Sequence, residues 1–409
     1  MNKKGLPTFR ALRYRNFSIL WVSLIVSSVG TWMQIVAQSL LVLKLTHNSA
    51  LALGTVALAQ ALSFFLFALI GGSFADQIDK RRLLLFTQSL SMLLAFLLGF
   101  LTVTGVIQVW MIVILAFCSG TILSFDQPAR SALIPLLVPR EDLMNAISLQ
   151  SIVFNGSAVL GPALAGIVVG LIGYAGNFFL NGLSFLAVLF ALFILHVPKD
   201  AADHSTERRG PLLASIRLSL AVVGQDNALP WILSGYGALL FFGPSATLIL
   251  PLFAVQILHL TPFQIGLLFT ASGLGTITGA LVVASLGDFQ HKGWLLLVSF
   301  LLWASALCIF ALSYVLWLSI LALLLFGIAQ NGVGATTITL MQTRVPPQMR
   351  GRVMSLNTLF IMGVRPLGDF PAGALISVIG GPLTVLMSAG IVGGYTLYLM
   401  AARPVIRSL

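Results

Sequence analysis

Gly71-Gly72-Ser73-Phe74-Ala75-Asp76-Gln77-Ile78-Asp79-Lys80-Arg81-Arg82 is the stretch on which the reading of the fold turns. It joins two uncharged apolar runs, about Leu51 to Ala75 and Leu83 to Thr104, through a turn that holds two acids and three cations. At 1.5 Å per residue each run is long enough to cross the ~30 Å hydrocarbon core of a bilayer. A glycine near the end of such a helix lets another backbone come close, and an acid there can accept from a neighbouring helix N-terminus. A basic cluster keeps the turn on the cytoplasmic side. The stretch is therefore expected to be the cytoplasmic turn of a membrane helix hairpin, built on Gly72, Asp76, Asp79, Lys80, Arg81 and Arg82. A plain topology anchor fits the same residues.

The rest of the chain repeats this texture. Of its 409 residues 58% are apolar and only 8% charged, and the mean hydropathy is +1.02; a soluble domain carries about 25% charged residues to stay solvated. Ten further apolar runs lie between turn or charge signals. They cover about Phe17 to Leu43, Ile107 to Ser124, Asn145 to Leu171, Asn177 to Val197, Pro230 to Val255, Gln264 to Leu286, Trp294 to Ser313, Leu316 to Leu340, Val353 to Ile379 and Pro382 to Met400, which makes twelve spans. The net charge of +11 does not form a nucleic-acid stripe. The cations alternate with the spans: Lys3, Lys4, Arg10, Arg13 and Arg15, then Lys80 to Arg82, Arg130 and Arg140, Lys199 to Arg217, Lys292, Arg344 to Arg352, and Arg403 with Arg407. The opposite loops hold only Lys44, so both termini are expected in the cytoplasm. The run from Phe17 is too long for a signal peptide and reads as a retained first span. Cys118 and Cys308 have no partner at disulfide or metal spacing.

The polar stretch from about Pro198 to Arg217 divides six spans from six. The expected domains are 1–197, a cytoplasmic loop over 198–225, and 226–409. A shift of 207 residues brings Val138, Pro139, Ser148 and Leu149 onto Val345, Pro346, Ser355 and Leu356, Gly120 onto Gly327, and Gly161 and Gly166 onto Gly368 and Gly373. A duplicated six-helix unit is the simplest source of that offset. Small residues four apart, such as Ala68 and Gly72, Ser157, Gly161 and Ala165, or Ala271, Gly275 and Gly279, are first a sign of close helix packing in lipid. They fall in the spans where two rocking halves would meet.

The opening stretch resembles the signature between helices two and three of the major facilitator superfamily, with Gln77 in place of the usual basic residue and Asp79 in place of the usual glycine, and the resemblance implies a gating role for Gly72, Asp76, Asp79, Lys80, Arg81 and Arg82. Gly287-Asp288 is its weaker second copy. Phe125-Asp126-Gln127-Pro128-Ala129-Arg130, Leu137-Val138-Pro139-Arg140-Glu141, Gly161-Pro162-Ala163-Leu164-Ala165-Gly166 and Arg350-Gly351-Arg352-Val353-Met354-Ser355 resemble the branch containing macrolide and siderophore exporters. The resemblance implies an all-α fold of two six-helix bundles in the bacterial inner membrane, alternating access, and export of a small amphipathic or hydrophobic molecule by proton antiport. The substrate, protons and lipid are then the partners, and a monomer is the expected state. Gly161, Pro162 and Gly166 are similar to the antiporter signature; the arginine that drug antiporters of this superfamily often carry four residues before Gly120 is absent, Ala116 standing there. Such export would be efflux of the multidrug-resistance kind; siderophore export, anion transport or a non-transporting receptor are the rival readings.

Of eleven acidic residues, Asp126 and Asp369 lie in or at the mouth of a span and Asp226 borders one. Ionisable groups in hydrocarbon are functional candidates by default. Arg365 and Asp369 stand four apart, on one helical face near the middle of the eleventh span, with Pro366 between them. They fit a protonatable switch set by its arginine, an anion site balanced by its acid, or a structural pair. Asp126 and Arg130 repeat the spacing nearer water. By resemblance, Trp32, Gln34 and Gln38 of the first span, Phe241 and Phe242 of the seventh, and Gln330 and Asn331 of the tenth line the substrate cavity. The chain has no Gly-x-x-x-x-Gly-Lys-Ser/Thr motif and no nucleophile or metal cluster, so neither an enzyme nor a cofactor is expected.

Overall fold

The computed structural model of the protein describes residues 7–195, 212–287, 289–346 and 349–409, and every regular element among them is helical. In chain order these are α1 (Arg15–Leu45), α2 (Ala50–Gln77), α3 (Lys80–Val103), α4 (Val109–Leu133), α5 (Leu143–Ile194), α6 (Leu212–Gln225), α7 (Leu229–Phe242), α8 (Ala246–Gln256), α9 (Pro262–Ser285), α10 (Lys292–Ala311), α11 (Leu316–Arg344), α12 (Arg350–Leu359), α13 (Arg365–Ile379), α14 (Gly381–Ala402) and α15 (Pro404–Arg407). In lipid a helix satisfies its own backbone, which is why apolar runs of this length adopt no other form. Among the described residues, ten helices are long and apolar enough to cross a membrane. One of them, running from Arg140 to Ile194, holds the expected fifth and sixth spans, which part at Gly173, where φ is +74°. The eleventh span escapes that count because a π-helical turn, Phe360–Val364, divides it. The fold is thus the all-α polytopic arrangement the sequence predicts.

Two segments differ locally from the sequence reading. The seventh span is not one helix: Gly243 is extended (φ −83°, ψ 105°) and Ser245 starts α8 as its N-cap. With Pro244 between them, the segment carries both a free backbone and a missing N–H. Residues 212–225, expected as part of a loop, form α6; the remainder of that loop, 198–211, lies outside the described residues, as does Asp288.

Contacts gather the chain into two compact units, residues 1–41 with 59–208 and residues 42–58 with 209–409. The first is cored by Phe17, Leu20, Leu84, Leu133, Leu149 and Leu192, each no more than 3% exposed. Its helix ends are tied by polar contacts: Arg13 Nη2 and the Tyr14 hydroxyl meet Asp142 Oδ2 at 2.6 and 2.8 Å, and Trp21 Nε1 donates to the Leu149 carbonyl at 2.9 Å. In the second unit Trp303 and Phe326 are buried ring to ring at 5.8 Å, and Arg403 lies 3.7 Å over Trp231.

Gly120 and Gly327, related by the repeat, do the same work in their own units. A Cβ at Gly120 would overlap the Gln60 carbonyl and Ser63 Oγ of α2; one at Gly327 would overlap the Ser272 carbonyl of α9. Gly161 faces Val29 and Trp32 of α1, and Gly368 faces the Phe241 carbonyl of α7. The small-residue stripes therefore set close crossings inside each unit.

Asp226 shows how one acid organises the entry to the seventh span. Its Oδ1 accepts from the amides of Ala228 and Leu229 at 2.7 and 2.8 Å, and its Oδ2 from Arg344 Nε at 2.9 Å. Burial pushes the carboxyl up, but the Leu229 and Ala228 amides and the Arg344 guanidinium outweigh it and hold the group below its ordinary value. A depressed carboxyl contributes stability above the unfolded-state value, and that contribution is lost as pH falls through the folded one. The thermal midpoint of the detergent-solubilised protein is expected to fall as pH drops below about 4. Asp226→Ala should lower it at neutral pH by ~1 kcal/mol of cap energy and flatten the acid fall; an unchanged acid profile in the variant would refute this role.

Candidate functional site

The eleventh span carries the charges. Its first part, α12, ends in the π-helical turn Phe360–Val364, after which α13 begins with Arg365 and Pro366. A π turn and a following proline release a carbonyl and rotate the helix face, a combination frequent at functional sites. Arg365 and Asp369 emerge one turn apart, yet they make no ion pair. With the Gln330 amide turned so that its oxygen faces the guanidinium, Gln330 accepts from both Nη atoms of Arg365, at 3.0 and 3.2 Å. Asp369 Oδ1 accepts instead from the backbone N–H of Ser245 at 2.7 Å. Of the three arrangements open to Arg365 and Asp369, the direct ion pair is the one not formed: each group has a partner on a different neighbouring helix. The arginine meets the tenth span, α11, and the acid meets the buried amide of Ser245, the N-cap of α8.

Around this point backbones are pressed together. Gly368 lies against the Phe241 carbonyl, Gly54 lies 3.2 Å (from its would-be Cβ) from the Asp369 carbonyl oxygen, and a Cβ at Gly243 would overlap the Trp303 ring. Asp369 is only 5% exposed. Phe241 and Phe242 stand edge to face at 5.1 Å and are partly exposed. Tyr236 of α7 is buried, stacks edge to face on Phe360 at 5.9 Å and lies within electrostatic reach of Arg365. Beside this wall an apolar cavity of about 400 Å³ opens among Leu220, Leu233, Gly237, Leu356 and Phe360. That volume suits a small molecule. Arg365 is not part of its lining; Phe360 stands five positions before it. Asn331 of α11 keeps a buried side-chain oxygen without a hydrogen-bond partner.

The remaining predicted residues divide between the first unit's packing and its helix ends. Asp126 is buried and accepts from Thr87 Oγ1 at 2.9 Å, Gln88 Nε2 at 2.6 Å and Arg130 Nη2 at 2.6 Å. The expected pair with Arg130 is present, with two extra donors from α3 that fix α4 against it. Gln34 accepts from Asn181 Nδ2 at 2.7 Å, and Trp32 stacks on Phe154 at 5.9 Å; Gln38 is half-buried. Pro162 and Gly166 are buried within α5.

At the hairpin turn, Asp79 caps α3 by accepting from the Arg82 amide at 2.8 Å, which gives a reason for an acid in the glycine position. Arg81 donates to the Leu192 and Phe193 carbonyls at 2.6 Å each, satisfying the end of the sixth span. Lys80 opens α3. A Cβ at Gly72 would meet nothing within 4 Å among the described residues, whereas one at Gly71 would overlap the Ser124 carbonyl of α4. One residue is about 100° of helix, enough to turn a glycine from a neighbour to the outside. The side chain of Asp76 lies outside the described residues.

Sequence reading missed Ser245, Asn181 and the Asp142 cluster. Only the first left a signal, the Gly243-Pro244-Ser245 run, a helix breaker inside an apolar segment.

Two compact helical units, a broken seventh span and a charged eleventh define a polytopic membrane transporter. A family model described as a transmembrane secretion effector matches residues 7–406, and the chain belongs to that family of the major facilitator superfamily. It is similar to the enterobactin exporter EntS of Citrobacter koseri, 27% identical over 399 residues, 95% of this chain and 89% of that one. It is similar to the same exporter of Salmonella typhimurium, 27% identical over 402 residues, 95% of this chain and 90% of that one. Among solved structures it resembles the nucleoside transporter NupG, with a TM-score of 0.74 at 12% identity over 94% of this chain and 98% of that one. It also resembles a bacterial homologue of the lysosomal transporter Spinster, with a TM-score of 0.74 at 13% identity over 98% and 97%. At those identities the likeness is one of fold.

Proposed function

We propose that the protein is a monomeric secondary exporter that moves a small amphipathic molecule bearing anionic or oxygen-acceptor groups out of the cytoplasm in exchange for protons, by alternating access, with both termini cytoplasmic. The observation that carries the substrate class is Arg365. It is a half-buried cation inside a span, held by a neutral amide rather than by an acid. A guanidinium with no carboxylate within 4 Å among the described residues keeps its charge for a ligand, and the site needs one to lower its cost in lipid. Tyr236 and Phe360 supply flat apolar surface beside it. The relatives' exported compound, enterobactin, makes a siderophore the first class to test. The alternating cations along the chain support the orientation.

Purified protein in proteoliposomes decides the coupling. With an acid interior, antiport is expected to accumulate enterobactin inside as protons leave, and a protonophore should collapse the gain at least tenfold. Accumulation driven by an alkaline interior would mean symport and overturn the reading, as would accumulation indifferent to the gradient.

A further inference from the structure

We propose that Asp369 is the latch of the discontinuous seventh span: ionised, its carboxylate holds the first amide of α8, and on binding a proton it lets that half-helix move about Gly243 and Pro244. The proposal rests on the reading that proton flow drives transport, and it assigns the step at which the proton acts.

The break between α7 and α8 strips several backbone groups of their helical partners midway along the span from Leu229 to Gln256. Such groups must be satisfied from outside the helix when no water is present. Two contacts do this at the start of α8. Ser245 Oγ accepts from the Leu248 amide at 3.3 Å and shares a hydrogen with Thr247 Oγ1 at 2.9 Å, and the Ser245 amide donates to Asp369 Oδ1 at 2.7 Å. The second contact depends on charge. Asp369 is buried and no cation among the described residues lies within 4 Å of it, Arg365 being turned to Gln330. The positive end of the α8 dipole with Ser245, and Arg365 through space, balance its charge.

The elements packed on this point offer little else to balance it. α8 and the first turns of α2 carry no ionisable side chain, and α7 has only Tyr236. Cys308 and Lys292 lie on α10, Arg344 on α11, Tyr395 and Tyr398 on α14, Lys44 and His47 before α2, and Arg365 on α13 itself. When Asp369 takes up a proton from water, its attraction to Arg365 is lost and the charged hydrogen bonding to Ser245 is weakened. The two halves of the span then respond differently. α7 is held to α13 by the backbone contact of Gly368 with the Phe241 carbonyl, which no proton alters. α8 is held to it by the bond that a proton weakens, so the motion falls at the hinge.

Hydrogen–deuterium exchange of the full-length protein in nanodiscs, corrected for intrinsic rates, reads this directly. From pH 9 to pH 4.5, exchange across residues 245–250 is expected to rise at least fivefold in the wild type while a reference peptide from α10 stays constant. Asp369→Asn should exchange fast at both extremes. Ser245→Pro, which removes the amide hydrogen at a φ of −67° that proline accepts, should do the same, and Ser245→Ala, which removes only the hydroxyl, should keep the pH dependence. Ser245→Pro decides the matter if Asp369→Asn does not fold. A wild type without pH dependence, or one whose dependence survives both variants, overturns the latch. If exchange behaves as expected but no pH gradient moves enterobactin, the latch stands and the antiport reading falls. If a gradient drives flux while exchange ignores Asp369, the antiport reading stands and the latch falls.

Discussion

Gly327→Leu is expected to leave almost no monodisperse protein, while Gly334→Leu, two turns further along the same helix, is expected to be recovered at the wild-type yield. At Gly327 a Cβ would overlap the Ser272 carbonyl and come within 2.7 Å of the Thr276 amide; at Gly334 it would meet nothing within 4 Å. The obstacle at Gly327 is backbone, so no rotamer change on α9 relieves it. Gly275 presents the mirror constraint, pressing on Leu324 of α11. Over-packing a core costs about 1–3 kcal/mol where side chains can yield. Here two helices must separate, and in lipid no hydrophobic force compensates the lost packing. A loss of ~3 kcal/mol or more is a large part of a stability of about 5–15 kcal/mol. Fluorescence-detected size exclusion of the two variants side by side measures it; a sharp wild-type peak from Gly327→Leu would show that the crossing is looser than described. Gly120→Leu should repeat the failure in the first unit.

That paired expectation shows what the sequence held. The twelve apolar runs were legible because hydrocarbon demands them whatever the neighbours are. The offset of 207 between Gly120 and Gly327 was legible as well, and the structure gives it meaning, since each glycine admits the helix two spans before it. What spacing could not carry was the identity of a partner. Arg365 and Asp369 share a face in sequence, but whether they meet depends on what α11 and α8 present to each. Gly71 and Gly72 differ by one position and only one faces α4. The break at Gly243 was written in its residues, yet a window that averages hydropathy over a span passes across it, because glycine, proline and serine are few among leucines.

Arg365→Ala is expected to reduce gradient-driven enterobactin accumulation on the order of 100-fold, the scale set by ~2–5 kcal/mol for removing one partner of a buried charge pair, while Arg365→Lys keeps a measurable fraction. Lysine retains the charge but offers a point donor where arginine presents a fork to oxygen acceptors. The sharper variant is Gln330→Glu. It leaves Arg365 in place and converts its 3.0 and 3.2 Å hydrogen bonds into an internal ion pair, so the guanidinium is neutralised before substrate arrives. Anion accumulation should fall nearly as far as in Arg365→Ala, although no cation has been removed. A merely structural arginine predicts the opposite, because a stronger bond to α11 would stabilise the helix pair and raise the thermal midpoint without lowering flux. Measuring midpoint and flux in the same preparation separates the two: a more stable Gln330→Glu protein that still accumulates enterobactin at the wild-type rate removes Arg365 from substrate recognition.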